Sequence, residues 1–171
     1  FMMLIMIFMI LPRAEVSANR INEIIDADIA VREGSKVEGK TVGEIEFKNV
    51  SFHYPDSDKN VLSNISFTAK KGETIAFIGA TGSGKTTLVN LVARLYDATE
   101  GTVLVDGTDV KEYTFKALYD KLGYVSQKAI LFSDTIKNNI AFGESKEPLT
   151  EEDITRAIDI AQASGFISEK E

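Results

Sequence analysis

Gly79-Ala80-Thr81-Gly82-Ser83-Gly84-Lys85-Thr86 fits the pattern G-x-x-x-x-G-K-[ST], and nothing else in the 171 residues constrains the chemistry so tightly. Glycines at this spacing let the backbone curl until successive N–H groups point at phosphate oxygens. The lysine then reaches the β- and γ-phosphates, and the final hydroxyl is placed to ligate Mg²⁺. The flanks agree with this reading. Glu73-Thr74-Ile75-Ala76-Phe77-Ile78 predicts a short apolar strand entering the loop, and Leu88, Leu91, Val92 and Leu95 recur at helical spacing over 85–95. Strand, loop and helix in that order set phosphates on a helix N-terminus, where unpaired N–H groups and the helix dipole favour an anion. The loop predicts a nucleoside triphosphate site.

Composition narrows the remaining chemistry. A hydrophobic share of 44% and a charged share of 26% are those of a globular chain. There is no Cys, hence no disulfide framework or thiolate site, and the single His, His53, excludes a histidine metal cluster. The net charge of −7 argues against a nucleic-acid partner. Residues 144–171 hold eight acids and three bases, −5 of that total, which reads as a solvated acidic helix face.

The N-terminal residues 1–11, Phe1-Met2-Met3-Leu4-Ile5-Met6-Ile7-Phe8-Met9-Ile10-Leu11, are apolar throughout. A spanning helix needs about 20 such residues, so this run is about half of one. It has neither the basic flank nor the cleavage site of a signal peptide. It reads as the exit half of a membrane helix, with a buried helix or hairpin as the alternative. Beyond Pro12, Val16, Ile21, Ile24 and Ile25 alternate with Glu15, Asn19, Asn22, Glu23 and Asp26, an amphipathic helix leaving the bilayer. Arg13 and Arg20 suit a cytoplasmic exit. The organisation expected is residues 1–28 as the end of a transmembrane helix with its extension, 29–43 as a glycine-containing linker, and 44–171 as the nucleotide-binding body.

In that body, Glu44-Ile45-Glu46-Phe47-Lys48-Asn49-Val50 alternates as a half-buried strand, and residues 61–69 read as a second. Thr102-Val103-Leu104-Val105 predicts a strand ending at Asp106-Gly107, residues 114–121 a short helix, and Leu122-Gly123-Tyr124-Val125 a strand delivering Ser126-Gln127. Thr150-Glu151-Glu152-Asp153 has the form of a capping box opening a helix with Ile154, Ala157, Ile158 and Ala161 on one face. Helices alternating with strands around a phosphate loop predict an α/β fold, with antiparallel strands before and beside it.

Four stretches together resemble the ATP-binding cassette (ABC) transporters of the exporter type, in which membrane helices and nucleotide-binding domain share one chain. Glu44 to Pro55 matches the family's opening strand, whose aromatic residue stacks on adenine, here Tyr54. Residues 79–87 match its phosphate loop. Val125-Ser126-Gln127 matches the loop whose glutamine meets Mg²⁺ and the attacking water. Residues 130–143 resemble the exporter segment that follows, and Pro12 to Asp26 resembles the end of the last membrane helix.

The resemblance implies a phosphate-loop NTPase core with an antiparallel β subdomain, truncated within the helical subdomain and preceded by the end of a transmembrane helix. It implies ATP and Mg²⁺ as ligands. The nucleotide would be held by Tyr54, Gly79, Thr81, Gly82, Ser83, Gly84, Lys85, Thr86 and Thr87, with Thr87 near the α-phosphate. Lys85 and Gln127 would act in catalysis, and Thr86 and Gln127 would hold the metal. Partners implied are a second nucleotide-binding domain, head to tail, the transmembrane domain of the same chain, and lipid at residues 1–11. The location implied is an integral membrane protein with a cytoplasmic nucleotide-binding domain. The family's Leu-Ser-Gly-Gly-Gln signature, its second acidic strand ending Asp-Glu and its switch histidine are not in these residues. Val103-Leu104-Val105-Asp106 imitates the acidic strand, but Gly107 follows where Glu is needed, so it belongs with the antiparallel subdomain. On these grounds the fragment is expected to bind ATP without turning it over. Two rival readings are a non-catalytic nucleotide-binding module and a soluble phosphate-loop enzyme such as a kinase. Tyr54 could instead be an ordinary strand-edge aromatic, Gln127 an ordinary polar strand end, and His53 is expected on the surface.

Overall fold

The computed structural model describes residues 1–143 and 148–169, so the acidic stretch lies partly outside the described residues, at 144–147 and 170–171. The chain forms two compact units, residues 1–124 and 125–171.

In the first unit, α1 (Met2–Ile25) runs unbroken through Pro12. Its exposed apolar side chains include Phe8 at 77% and Ile10 at 59%. No helix among the described residues is long and apolar enough to cross a membrane. The apolar run of α1 measures roughly 16 Å at 1.5 Å per residue, about half of a hydrocarbon core.

Strands β1 (Ile45–Phe52), β2 (Leu62–Ala69), β3 (Glu100–Val105) and β4 (Thr108–Asp109) form an antiparallel sheet ordered β2-β1-β3-β4. Phe47 stands opposite Phe67, their rings stacked at 4.7 Å. Strict alternation from Phe47 would turn Asn49, Ser51 and His53 to the core. Instead a register shift falls between Phe47 and Val50, with Asn49 at φ 49°. A bulge of this kind inserts one residue and re-aims everything after it. Val50 and Phe52 therefore join Phe47 in the core, and Tyr54 follows on their side. Helix α2 (Lys85–Val92) packs on this face through Leu88 and Leu91. It stops short of the expected residue 95, because Arg94 takes a left-handed φ of 51°. Helix α3 (Phe115–Tyr119) is capped by Thr114, whose hydroxyl accepts from the Ala117 N–H.

Two expected strands are not formed. Segments 73–78 and 122–125 carry no ladder, and the sheet among the described residues is purely antiparallel. A parallel strand needs paired neighbours and cover on both faces. Here Ile75, Phe77, Leu122 and Tyr124 instead line one apolar groove of about 270 Å³ against Phe67, Leu88 and Val92. The strand ending at Asp106 is antiparallel, as expected.

The expected linker is an ordered strap over residues 32–44. The Gly34 N–H donates to the Tyr113 carbonyl at 3.0 Å, Lys36 N–H to Glu112 at 2.8 Å, and Thr114 N–H back to Lys36 at 2.9 Å. Side chains are excluded at the closest approach: a Cβ on Gly34 would sit 2.2 Å from the Glu112 carbonyl oxygen. At the strap's other end, the buried Asp106 carboxylate accepts from the N–H groups of Gly43 at 2.6 Å and Glu44 at 3.0 Å. It also pairs with Lys121 Nζ at 3.2 Å, which donates in turn to the Lys40 carbonyl at 2.8 Å. No apolar period marks this docking in the sequence, because it is polar.

In the second unit, α4 (Ile136–Ile140), α5 (Glu151–Ile160) and α6 (Ser164–Ser168) surround an apolar groove lined by Leu131, Phe132, Ile140, Ile158 and Phe166. The capping box at Thr150 forms as expected. Its Thr150 bonds hold the Asp153 carboxyl below the usual range. Lys137 pairs with Glu151.

Burial alone would raise the Asp106 pKa, but the bonds from Glu44, Gly43 and Lys121 outweigh it and hold the group below its ordinary value. A lowered folded-state value gives stability that is present above the unfolded value of about 3.9 and lost as pH falls through the folded one. Asp106→Asn leaves Lys121 without its carboxylate and is expected to cost about 3 kcal/mol at neutral pH. In urea titrations the deficit should shrink below about pH 3.9. A deficit independent of pH would show that the charge does not hold the strap.

Candidate functional site

Helix α2 starts abruptly at Gly84, its N-cap, with φ at 87°. A Cβ there would meet Leu62 Cδ2 at 2.9 Å, and positive φ strains any L side chain, so the turn into α2 depends on glycine. No side chain caps this helix. Its leading N–H groups are left to an external acceptor at the positive end of the dipole, which suits an anion.

Lys85 folds inward over the loop it terminates. Its ammonium donates to the carbonyls of Gly79 and Ala80, both at 2.8 Å, and to Ser83 Oγ at 3.2 Å. The Ser83 N–H closes the turn onto the Ala80 carbonyl at 3.2 Å. Thr81, Gly82 and Ser83 are exposed. A phosphate approaching this loop meets a cation already centred on it, held by neutral carbonyls that an anionic acceptor outcompetes.

Successive residues on a helix point about 100° apart, and this separates two neighbouring hydroxyls. Thr86 is exposed beside the loop. Thr87 is buried at 5% exposure, and its Oγ1 lies 2.9 Å from the Tyr54 hydroxyl. Tyr54 is wedged edge-to-face against Phe52 at 4.9 Å and Tyr96 at 5.1 Å. The bulge in β1 thus delivers an aromatic ring to the start of α2 and fixes its orientation at three points. The sequence reading missed Tyr96. The signal was an aromatic four residues beyond Val92, at the helix exit.

His53, expected on the surface, is half-buried, with Nδ1 3.1 Å from the Tyr54 carbonyl and its N–H on Thr99 Oγ1 at 3.3 Å. A carbonyl only accepts, so this pairing needs the proton on Nδ1. The imidazole therefore supports the backbone at Tyr54. Gln127 belongs to the second unit, in an exposed bend where Ser126 Oγ donates to the Lys128 carbonyl at 2.9 Å.

The donor set fits a hard cation that arrives with its own oxygen ligands. Among the described residues, no group of three His, Cys, Asp or Glu could hold a metal ion. An exposed Thr86 hydroxyl beside a phosphate loop fits Mg²⁺, which keeps most of its shell as phosphate oxygens and water.

Comparison with known proteins agrees with this geometry. The family model described as "ABC transporter" matches residues 62–170. An uncharacterized ABC transporter ATP-binding protein of Mycobacterium tuberculosis (strain H37Rv) is 41% identical over 170 residues, 97% of this chain and 29% of that protein. The ATP-dependent lipid A-core flippase of Escherichia coli K12 is 41% identical over 145 residues, 85% of this chain and 25% of the flippase. A solved structure of a bacterial Atm1-family ABC exporter with ATP bound superposes with a TM-score of 0.77 at 32% identity, covering 97% of this chain and 29% of that one. The chain therefore spans little more than a quarter of the length of these relatives. It belongs to the ABC transporter family and carries the fold of that family's ATPase domain.

Proposed function

We propose that this chain is the ATP-binding part of an exporter that couples ATP binding and hydrolysis to moving a solute across a membrane. The observation that carries the proposal is the pinning of Tyr54 to Thr87, which sets an aromatic ring beside the phosphate loop. In this reading Tyr54 stacks on adenine. The N–H groups of Gly79, Thr81, Gly82 and Gly84, the Ser83 hydroxyl and the ammonium of Lys85 take the phosphates. A hydroxyl carries one donor and two acceptor sites, so Thr87 can keep its bond to Tyr54 and still serve an α-phosphate oxygen. Thr86 and Gln127 would each serve as a ligand to Mg²⁺, and the ion would supply neutralisation of phosphate charge. Gln127 would also orient the attacking water.

Family membership supports the wider parts of the reading. These are head-to-tail pairing with a second nucleotide-binding domain, a transmembrane domain in the same polypeptide, and a cytoplasmic position for residues 44–171. The apolar run at residues 1–11 would meet lipid, which accounts for exposed large apolar side chains such as Met6, Phe8 and Ile10. Residues 1–171 supply groups that grip ATP and Mg²⁺, and we assign them binding without appreciable turnover. Their only histidine, His53, supports the Tyr54 backbone and leaves no counterpart to the switch histidine. A soluble kinase would leave the apolar face of α1 unexplained.

Tyr54→Ala is expected to weaken ATP binding by about 1–3 kcal/mol, the scale of base–aromatic stacking. Tyr54→Phe keeps the ring and loses only the Thr87 bond, costing about 1 kcal/mol or less. Lys85→Ala should reduce affinity for ATP far more than for adenosine in calorimetric titrations. Equal losses for both ligands would place the phosphates elsewhere. In flotation gradients the chain should rise with phosphatidylcholine vesicles, and deletion of residues 1–11 should leave it at the bottom. An intact chain that fails to float would refute the lipid contact.

A further inference from the structure

The strap meets the body first at Arg32, only seven residues beyond the end of α1, and what it meets there is the exit of the phosphate-loop helix. Arg94 stands two residues past α2, with 4% of its surface exposed. Its Nη2 donates to the Arg32 carbonyl at 2.6 Å, its Nε to Asp97 Oδ1 at 2.9 Å, and its guanidinium lies 5.6 Å from the Phe115 ring centroid. One buried cation therefore joins three segments: the end of α2, the start of the strap and the start of α3.

We propose that Arg94 is a positioning residue that couples the phosphate loop to the strap, so that polyphosphate binding at 79–87 changes how firmly residues 32–36 are held. The proposal rests on the ATP-binding reading above. Helix α2 is a stiff rod about 12 Å long by its 1.5 Å rise per residue. Its first residue is the phosphate-binding lysine, and the residue just past its C-cap is Arg94. A small adjustment of α2 on phosphate binding at Lys85 would be carried along the rod to the turn that holds Arg94. Burial keeps water from absorbing the displacement, because the guanidinium has no solvent to turn to when a bond lengthens.

Two features make the joint responsive as well as rigid. Among the described residues, Arg94 Nη1 is the buried side-chain nitrogen or oxygen with no hydrogen-bond partner. A guanidinium with Nε and Nη2 engaged and Nη1 unpaired is not at its most satisfied arrangement, so a small shift can exchange one bond for another. The strap also has room to answer. Ala27, Asp28, Ile29, Val31 and Arg32 face Phe115 across a recess of about 500 Å³. Other strap bonds, to Thr108, Glu112, Tyr113, Asp106 and Lys121, involve no residue of α2, while Glu33 Oε1 accepts from the Phe115 N–H at 2.9 Å beside the Arg94 contact.

The test is hydrogen–deuterium exchange of the 171-residue chain with and without Mg-ATP, in the parent and in Arg94→Lys. Lysine keeps the charge but loses the fork that reaches Asp97 and Arg32 together. In the parent, Mg-ATP should slow exchange at 79–87 and also change it at 32–36 by about threefold or more. In Arg94→Lys the loop should respond as before, while 32–36 no longer does. A purely structural role would raise exchange at 32–36 by the same factor in both states and leave the nucleotide response of the strap in place. The parent alone already decides the matter if the variant does not fold: a protected loop with an unresponsive strap overturns the inference. A strap response that survives in folded Arg94→Lys also overturns it. No protection at 79–87 refutes the ATP-binding reading itself, and the inference with it.

Discussion

The left-handed backbone at Gly84 is the constraint from which the site follows. Only a residue without Cβ can take φ 87° against Leu62 and let α2 begin there. Once α2 begins at Lys85, helical geometry settles the rest. Lys85 curls over the loop carbonyls, Thr86 faces out, and Thr87 turns in toward Tyr54. Leu88 and Leu91 lock the helix to the sheet. A nucleotide site built this way is positioned by packing, and its polar groups are left for the ligand.

The sheet supplies the second half of that arrangement through an irregularity. The extra residue at the β1 bulge moves Tyr54, and not His53, to the α2 side. His53 then serves as a brace, bonding to the backbone around Tyr54. The opposite end of the sheet, at Asp106, holds the strap with backbone N–H bonds and the Lys121 ammonium. The first unit therefore has two polar fastenings, one at Tyr54 just past the end of β1 and one at Asp106 just past the end of β3.

The phosphate loop, β1, β2, the Thr114 helix and the Thr150 capping box were all legible in the sequence, because each rests on local spacing or a local hydrogen bond. Segments 73–78 and 122–125 were not, since whether an apolar run becomes a strand depends on ladder partners, which one segment's sequence does not contain. The strap was hidden for a different reason. Its binding is made by Gly34, Gly43 and Lys36 backbone groups with partners about 60 to 80 positions away, and leaves no apolar period to read. Tyr54 was recognisable, but its anchoring by Thr87 and Tyr96 depends on the bulge, which shifts parity without any glycine or proline to announce it. Arg94 falls in the tail of the α2 pattern, where nothing in the spacing marks it as buried. Its burial follows from the left-handed turn that ends α2 early.

The account stands on Tyr54 and the 79–87 loop forming one nucleotide site. Photolabelling with 8-azido-ATP in the presence of Mg²⁺, with the label mapped by peptide mass spectrometry, addresses this directly. The azide on the base should mark the peptide containing Tyr54, and excess ATP should remove the label. Labelling that survives excess ATP, or that falls on α1 or on the 131–167 groove and spares the Tyr54 peptide, would contradict it.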